Sequence, residues 1–141
     1  IEYNVRMGDP ECQTIIPKVK TDLAEIFEAC VNKKLNEIDI EWYEEKSICI
    51  VLSSKGYPDD FEKGIEIKNL DKLILMENEF IFHAGTKAQG NKIFSNGGRV
   101  LNFVIRSNNF QRNREKAMKI INQIDWHNGF FRKDIGYKVI D

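Results

Sequence analysis

Apolar and polar residues alternate from the first position, with Ile1, Tyr3 and Val5 on one side of an extended chain and Glu2, Asn4 and Arg6 on the other. Successive side chains of a strand point to opposite faces, so the pattern predicts a strand over 1–6 with one polar face. A turn follows at Gly8-Asp9-Pro10: the glycine permits unusual backbone angles, the proline holds Asp9 extended, and Pro10-Glu11 reads as the first turn of a helix. From Pro17 a second helical stretch is predicted, with Val19, Leu23, Ile26, Phe27 and Cys30 at helical spacing as a core-facing stripe. Lys33, Lys34 and Asn36 mark its C-terminal end. Beyond Ile38 the apolar runs shorten and turns intervene, which predicts strands over 38–42, 47–53, 65–67, 72–76, 80–83, 92–95 and 99–105. One helical pattern interrupts them: Ala117, Ile120, Ile121 and Ile124 fall on one face of a helix over about 111–124.

Short strands separated by Gly, Pro, Asp and Asn clusters, with one amphipathic helix to cover them, predict an α+β fold built on a small, mostly antiparallel sheet or partial barrel. At 141 residues, 42% of them hydrophobic, the chain is long enough to bury a core. Its net charge of -1, with both signs intermixed, provides no basic field for nucleic acid. No apolar run reaches the roughly 20 residues of a membrane helix, and no basic-then-apolar leader opens the sequence. Cys12, Cys30 and Cys49 are odd in number and lack paired spacing, so they read as reduced core residues of a cytoplasmic protein.

The candidate chemistry lies at the start of the chain and around two glycine turns. Glu2 and Asn4 offer a carboxylate and an amide oxygen on the same strand face, hard ligands of the kind Mg2+ takes while water and phosphate complete its octahedron. Without further information the same residues also describe a solvated strand face. Asp9 reads both as a helix N-cap and as a ligand-binding carboxylate, and Arg6 stands where an anion is welcome. Gly97-Gly98-Arg99 combines a turn that lets backbone approach a ligand with a guanidinium able to bind phosphate in a bidentate manner; a surface arginine after a hairpin is the alternative. His83 and Thr86 bring an imidazole and a hydroxyl to one turn, although a histidine ending an apolar strand is also a common core residue. Arg132 and Asp134 read as a structural ion pair. His127 has no carboxylate partner nearby in sequence, and no Walker-type loop occurs.

The run Arg6-Met7-Gly8-Asp9-Pro10-Glu11-Cys12-Gln13 resembles the signature of the phosphoribosylamine–glycine ligase family, within the ATP-grasp superfamily. Gly56-Tyr57-Pro58 with Lys63-Gly64, Phe82-His83-Ala84-Gly85-Thr86, Gly97-Gly98-Arg99-Val100-Leu101 and Arg132-Lys133-Asp134-Ile135-Gly136 follow in family order. The resemblance covers the C-terminal third of such ligases and implies the end of an ATP-grasp domain over 1–42 and a C-terminal domain over 43–141. It also implies that this stretch is a piece whose N-terminal lobes belong to the same polypeptide, and that alone it lacks ligase activity. The implied reaction joins glycine to 5-phosphoribosylamine with ATP as co-substrate, through a glycyl phosphate, giving glycinamide ribonucleotide, ADP and phosphate in purine biosynthesis. By the resemblance, Glu2 and Asn4 hold Mg2+ or Mn2+, Asp9 and Arg6 serve catalysis, and Arg99, Thr86 and His83 bind substrate. Lys87, Asn102 and Met118 depart from the family pattern, Asn102 standing where a small residue is common. A different class of reading is a noncatalytic module that binds only the acceptor or stabilises an interface.

Overall fold

The computed structural model describes residues 5–140. Two antiparallel sheets and one packed helix form the body of the fold, with no closed barrel among the described residues. The larger sheet centres on two nine-residue strands, β1 (Lys46–Ser54) and β6 (Arg99–Ser107), which pair with each other. Its edges are β3 (Glu79–His83) on β6 and the short β7 (Gly129–Phe130) on β1. The smaller sheet has the order β2 (Glu66–Ile67), β5 (Lys92–Ser95), β4 (Thr86–Gln89).

Alternation along β1 decides which face is core. Ile48, Ile50 and Leu52 stand opposite Ile105, Phe103 and Leu101 of β6, and all six are buried. Helix α3 (Phe110–Ile121) covers this face with Ala117, Ile120 and Ile121, while Trp126 and Ile67 close the same cluster. The Asn109 side chain caps α3 by accepting from the Arg112 amide at 2.9 Å. Fully buried Asn113 ties the helix to the sheet, donating to the carbonyl of Lys46 at 2.8 Å and accepting from the Ser107 hydroxyl.

The opposite face of β6 is covered by the N-terminal segment. That segment carries α1 (Glu11–Ile15) and a 3-10 turn over Ile16–Lys18. Arg106 of β6 pins it: its guanidinium is buried, donates to the carbonyl of Pro17 and lies 3.6 Å from the ring centre of Tyr43, with Glu45 at 4.0 Å. Segments 18–20 and 41–43 run antiparallel, with Tyr43 N–H donating to Lys18 and Lys20 N–H to Glu41.

Two sequence expectations change, and a third, the strand over 1–6, falls mostly outside the described residues. Residues 1–4 lie outside the described residues, and Val5 and Arg6 form a bend, with Val5 fully exposed. The stripe from Val19 to Cys30 is not one helix: Asp22 caps a new start by accepting from the Ala24 amide, and α2 (Leu23–Val31) buries Ala29 while Phe27 and Cys30 are exposed. The break dephases Val19 from the helix and leaves α2 outside the hydrophobic cluster. Segments 38–42 and 72–76 contain no strand beyond an isolated bridge at Trp42, whereas β4 and β7 arise where no apolar run announces them.

Candidate acceptor-binding site

A bulge in β6 shapes the site. Leu52 pairs with Leu101 but Ser53 pairs with Arg99, so Val100 is an extra residue in the ladder. Strict alternation from Ile105, Phe103 and Leu101 would send residue 99 into the core under α3. The extra residue re-aims it, as bulges do, so Arg99 joins Asn102, Val104 and Arg106 on the face that receives α1, while Val100 and Leu101 are both buried in the core.

Arg99 meets the Asp9 turn there. Its Nη1 donates to the carbonyl of Asp9 at 2.7 Å and its Nε lies 3.5 Å from the Asp9 carboxylate. Asp9 does not cap α1: Pro10 occupies the N-cap position without a side-chain bond, and Asp9 Oδ1 accepts from Gln13 Nε2 at 2.7 Å. The carboxylate is thereby held between an amide and a guanidinium, which fix its orientation. Arg6, Asp9 and Arg99 line one open cavity of about 850 Å3, whose remaining walls include Glu11, Cys12, Gln13, Ile16 and Phe82. Three residues separated by up to 93 positions therefore converge on a single site of mixed charge, two guanidiniums beside carboxylates. The Cys49 thiol on the neighbouring face of β1 is pushed up to about 12, by burial first and by the Asp9 charge second, against a lowering contribution from the Thr14 hydroxyl.

The glycine turns serve a different purpose from the one their sequence suggests. A Cβ on Gly85 would sit 2.5 Å from the Arg99 carbonyl oxygen, and one on Gly98 would sit 2.0 Å from Tyr57 Cδ2. The space these glycines leave is filled by protein rather than offered to a ligand. Ser54 completes the junction, its hydroxyl donating to the Gly97 carbonyl at 2.8 Å and its amide to Gly98 at 2.7 Å. The turn thus locks the root of β6 and fixes where Arg99 begins.

His83 and Thr86 bond to each other, Nδ1 to Oγ1 at 2.9 Å, and do not line the cavity. Period-2 alternation on β3 explains the difference, since Phe80 and Phe82 share the α1 face and Ile81 joins the core face with His83. Sequence reasoning passed over Phe82 and Gln13, although the same alternation and the helical spacing from Asp9 point to both. Arg132 and Asp134 make a two-bond ion pair at 2.7 and 3.1 Å, in keeping with a structural role. Glu2 and Asn4 lie outside the described residues, among which no cluster of three metal-ligating side chains occurs. No helix among the described residues is long and apolar enough to cross a membrane.

Residues 47–138 match the family described as Phosphoribosylglycinamide synthetase, C domain. The chain belongs to this family. A phosphoribosylamine–glycine ligase of Caldanaerobacter subterraneus subsp. tengcongensis is 40% identical over 135 residues, covering 96% of this chain and 32% of that protein. The trifunctional purine biosynthetic protein adenosine-3 of Gallus gallus is 40% identical over 141 residues, covering 99% of this chain and 14% of that protein. The crystal structure of phosphoribosylamine–glycine ligase from Thermotoga maritima superposes with a TM-score of 0.68 at 32% identity, over 95% of this chain and 32% of that one. The synthetase C domain thus comes here with a preceding segment, and the chain spans about a third of the length of the single-function ligases it matches.

Proposed function

We propose that this chain supplies the acceptor side of an ATP-dependent ligase that joins glycine to 5-phosphoribosylamine, giving glycinamide ribonucleotide, ADP and phosphate in purine biosynthesis. The observation that carries the reading is the convergence of Arg6, Asp9 and Arg99 on one cavity, built by a bulge that turns Arg99 out of the core. A sugar phosphate bearing an amine needs cations for its phosphate and a carboxylate for its amine, and this cavity offers both. Arg99, with Arg6 at the rim, takes the 5-phosphate. Asp9, oriented by Gln13, receives a hydrogen bond from the amine and aims its lone pair at the glycyl carbonyl. The amine nitrogen bonds to that carbon as the carbon–oxygen bond to phosphate breaks, phosphate leaves with its electron pair, and the proton lost by the amine ends on the departing phosphate. Positioning and charge neutralisation, rather than a protein nucleophile, carry such a reaction.

Glu2 and Asn4 are proposed as ligands of Mg2+ or Mn2+, on the ground that their donor set is two hard oxygens at alternate positions of the chain. That ion, when bound, neutralises charge on the ATP phosphates. His83 and Thr86 are kept as a substrate-binding pair on the ground that their imidazole and hydroxyl meet at one turn. The nucleotide site belongs to N-terminal lobes of the same polypeptide, the division falls near 42/43, the enzyme works in the cytoplasm, and the 141 residues alone are inactive. The test is ADP release by the full-length polypeptide with ATP, 5-phosphoribosylamine and glycine. Turnover that requires glycine is expected; turnover with another carboxylate and none with glycine refutes the assignment.

A further inference from the structure

The α1-facing row of β6 contains one buried amide, Asn102, that takes no part in the contacts of Arg6, Asp9 and Arg99. Asn102 is fully buried, and neither its Oδ1 nor its Nδ2 has a hydrogen-bond partner among the described residues. Its strand neighbours Val100, Leu101, Phe103, Val104 and Ile105 are all apolar and buried, so the amide sits in a run where an apolar side chain would be the stable choice. Asn102 pairs directly with Phe82 of β3, and directly opposed residues of an antiparallel pair share a face. Phe82 lines the cavity, as does Arg99, the preceding residue on that face. Gln13, on the helix that packs over this face, also lines the cavity; Asp9 engages its Nε2, while its Oε1 is buried without a partner.

We propose that Asn102 and Gln13 form a hydroxyl-binding subsite at the base of the cavity, taking a ribose hydroxyl of the acceptor. This rests on the acceptor reading above. A hydroxyl is the group that both donates and accepts, so it donates to Gln13 Oε1 while accepting from Asn102 Nδ2. Asn102 itself does not line the open cavity, so the hydroxyl reaches its amide past Phe82, its cross-strand partner, which does. Arg99 then reads the phosphate end and the two amides read the sugar, which makes Asn102 and Gln13 specificity-determining residues rather than catalytic ones.

Calorimetric titration of the full-length polypeptide with ribose 5-phosphate and, separately, with inorganic phosphate tests the subsite. In Asn102→Ala and in Gln13→Leu, affinity for ribose 5-phosphate is expected to fall about tenfold, the loss of one good hydrogen bond, with affinity for inorganic phosphate unchanged. Unchanged ribose 5-phosphate affinity in both variants overturns the subsite and assigns the amides to an internal water. Should Asn102→Ala fail to fold, the near-isosteric Asn102→Leu decides the matter by the same loss or retention of affinity, since Gln13 also orients Asp9. No binding of ribose 5-phosphate by the unsubstituted protein would instead refute the acceptor reading itself.

Discussion

Replacing Arg106 with methionine tests whether β6 holds the N-terminal segment, and with it the Asp9 turn, in place. The substitution keeps the length and apolar stem of the side chain but removes its charge and donors. Lost with them are a charge-assisted hydrogen bond to the Pro17 carbonyl, worth about 1.5–3 kcal/mol, and the stack on Tyr43 at 3.6 Å, worth about 1–2 kcal/mol for a desolvated guanidinium. The Glu45 contact at 4.0 Å adds little. Arg106 Nε is buried without a hydrogen bond, so its removal returns part of the loss. The net is about 3 kcal/mol, on the order of 10 °C in Tm for a domain of this size. Urea denaturation of the 141-residue chain measures the loss, and hydrogen exchange locates it. Amides of Cys12 and Val19 are expected to lose protection in Arg106→Met, while Ile50 and Phe103 in the central ladder retain theirs. A loss below 1 kcal/mol, or equal deprotection of the central ladder, would refute the idea that Arg106 is the clamp between segment and sheet.

Further outcomes follow from individual groups. With a thiol pushed up to about 12, half-buried Cys49 is expected to react with iodoacetamide far more slowly at pH 8 in the folded than in the unfolded protein; modification of the folded protein at the rate of an ordinary cysteine would contradict its raised value. Burial would raise the Glu79 carboxyl, but the Lys116 ammonium at 2.9 Å and the Met76 amide outweigh it and hold it below the usual carboxylate range. A depressed folded-state value stabilises above the unfolded value and the gain vanishes as pH falls through the folded one, so Glu79→Gln is expected to cost about 1 kcal/mol at pH 7 and nothing near pH 2 in urea titrations. A pH-independent cost would show that packing, not charge, is responsible. In the full-length polypeptide, Glu2→Gln with Asn4→Ala is expected to lower turnover and weaken its Mg2+ dependence without loss of fold by circular dichroism; unchanged turnover and metal dependence would exclude the pair as ligands.

The larger sheet and α3 were legible because each is written in a local period. The alternation of Ile48, Ile50 and Leu52 and the spacing of Ala117, Ile120 and Ile121 each bury one face in a single cluster. The N-terminal segment was less legible, since its apolar residues form two out-of-phase sets divided at the Asp22 cap. Phe27, Val31 and Trp42 remain exposed here, so periodicity alone did not tell a stripe covered within this chain from one that is not. Strands β4 and β7 carry almost no apolar signal and exist through pairing with β5 and β1. At the site, Asp9 and Arg99 were readable as residues, yet their meeting depends on a one-residue bulge at Val100, where the apolar run Val100-Leu101 gives no sign of the extra residue. The turn at Gly97-Gly98 misled in one respect: its glycines make room for Gly85 and Tyr57, not for a ligand.

The acceptor role of the cavity is tested most directly by steady-state kinetics of the full-length polypeptide with Arg99→Met, varying 5-phosphoribosylamine and glycine in turn. Arg99 and Asp9 are each about 39% exposed, so breaking their pair costs at most about 1 kcal/mol of stability, whereas a lost charge-assisted phosphate contact of about 1.5–3 kcal/mol raises KM roughly 10- to 150-fold. The account predicts that rise for 5-phosphoribosylamine alone, with KM for glycine unchanged and the fold intact. An unchanged KM for 5-phosphoribosylamine, or a rise confined to glycine, would contradict it.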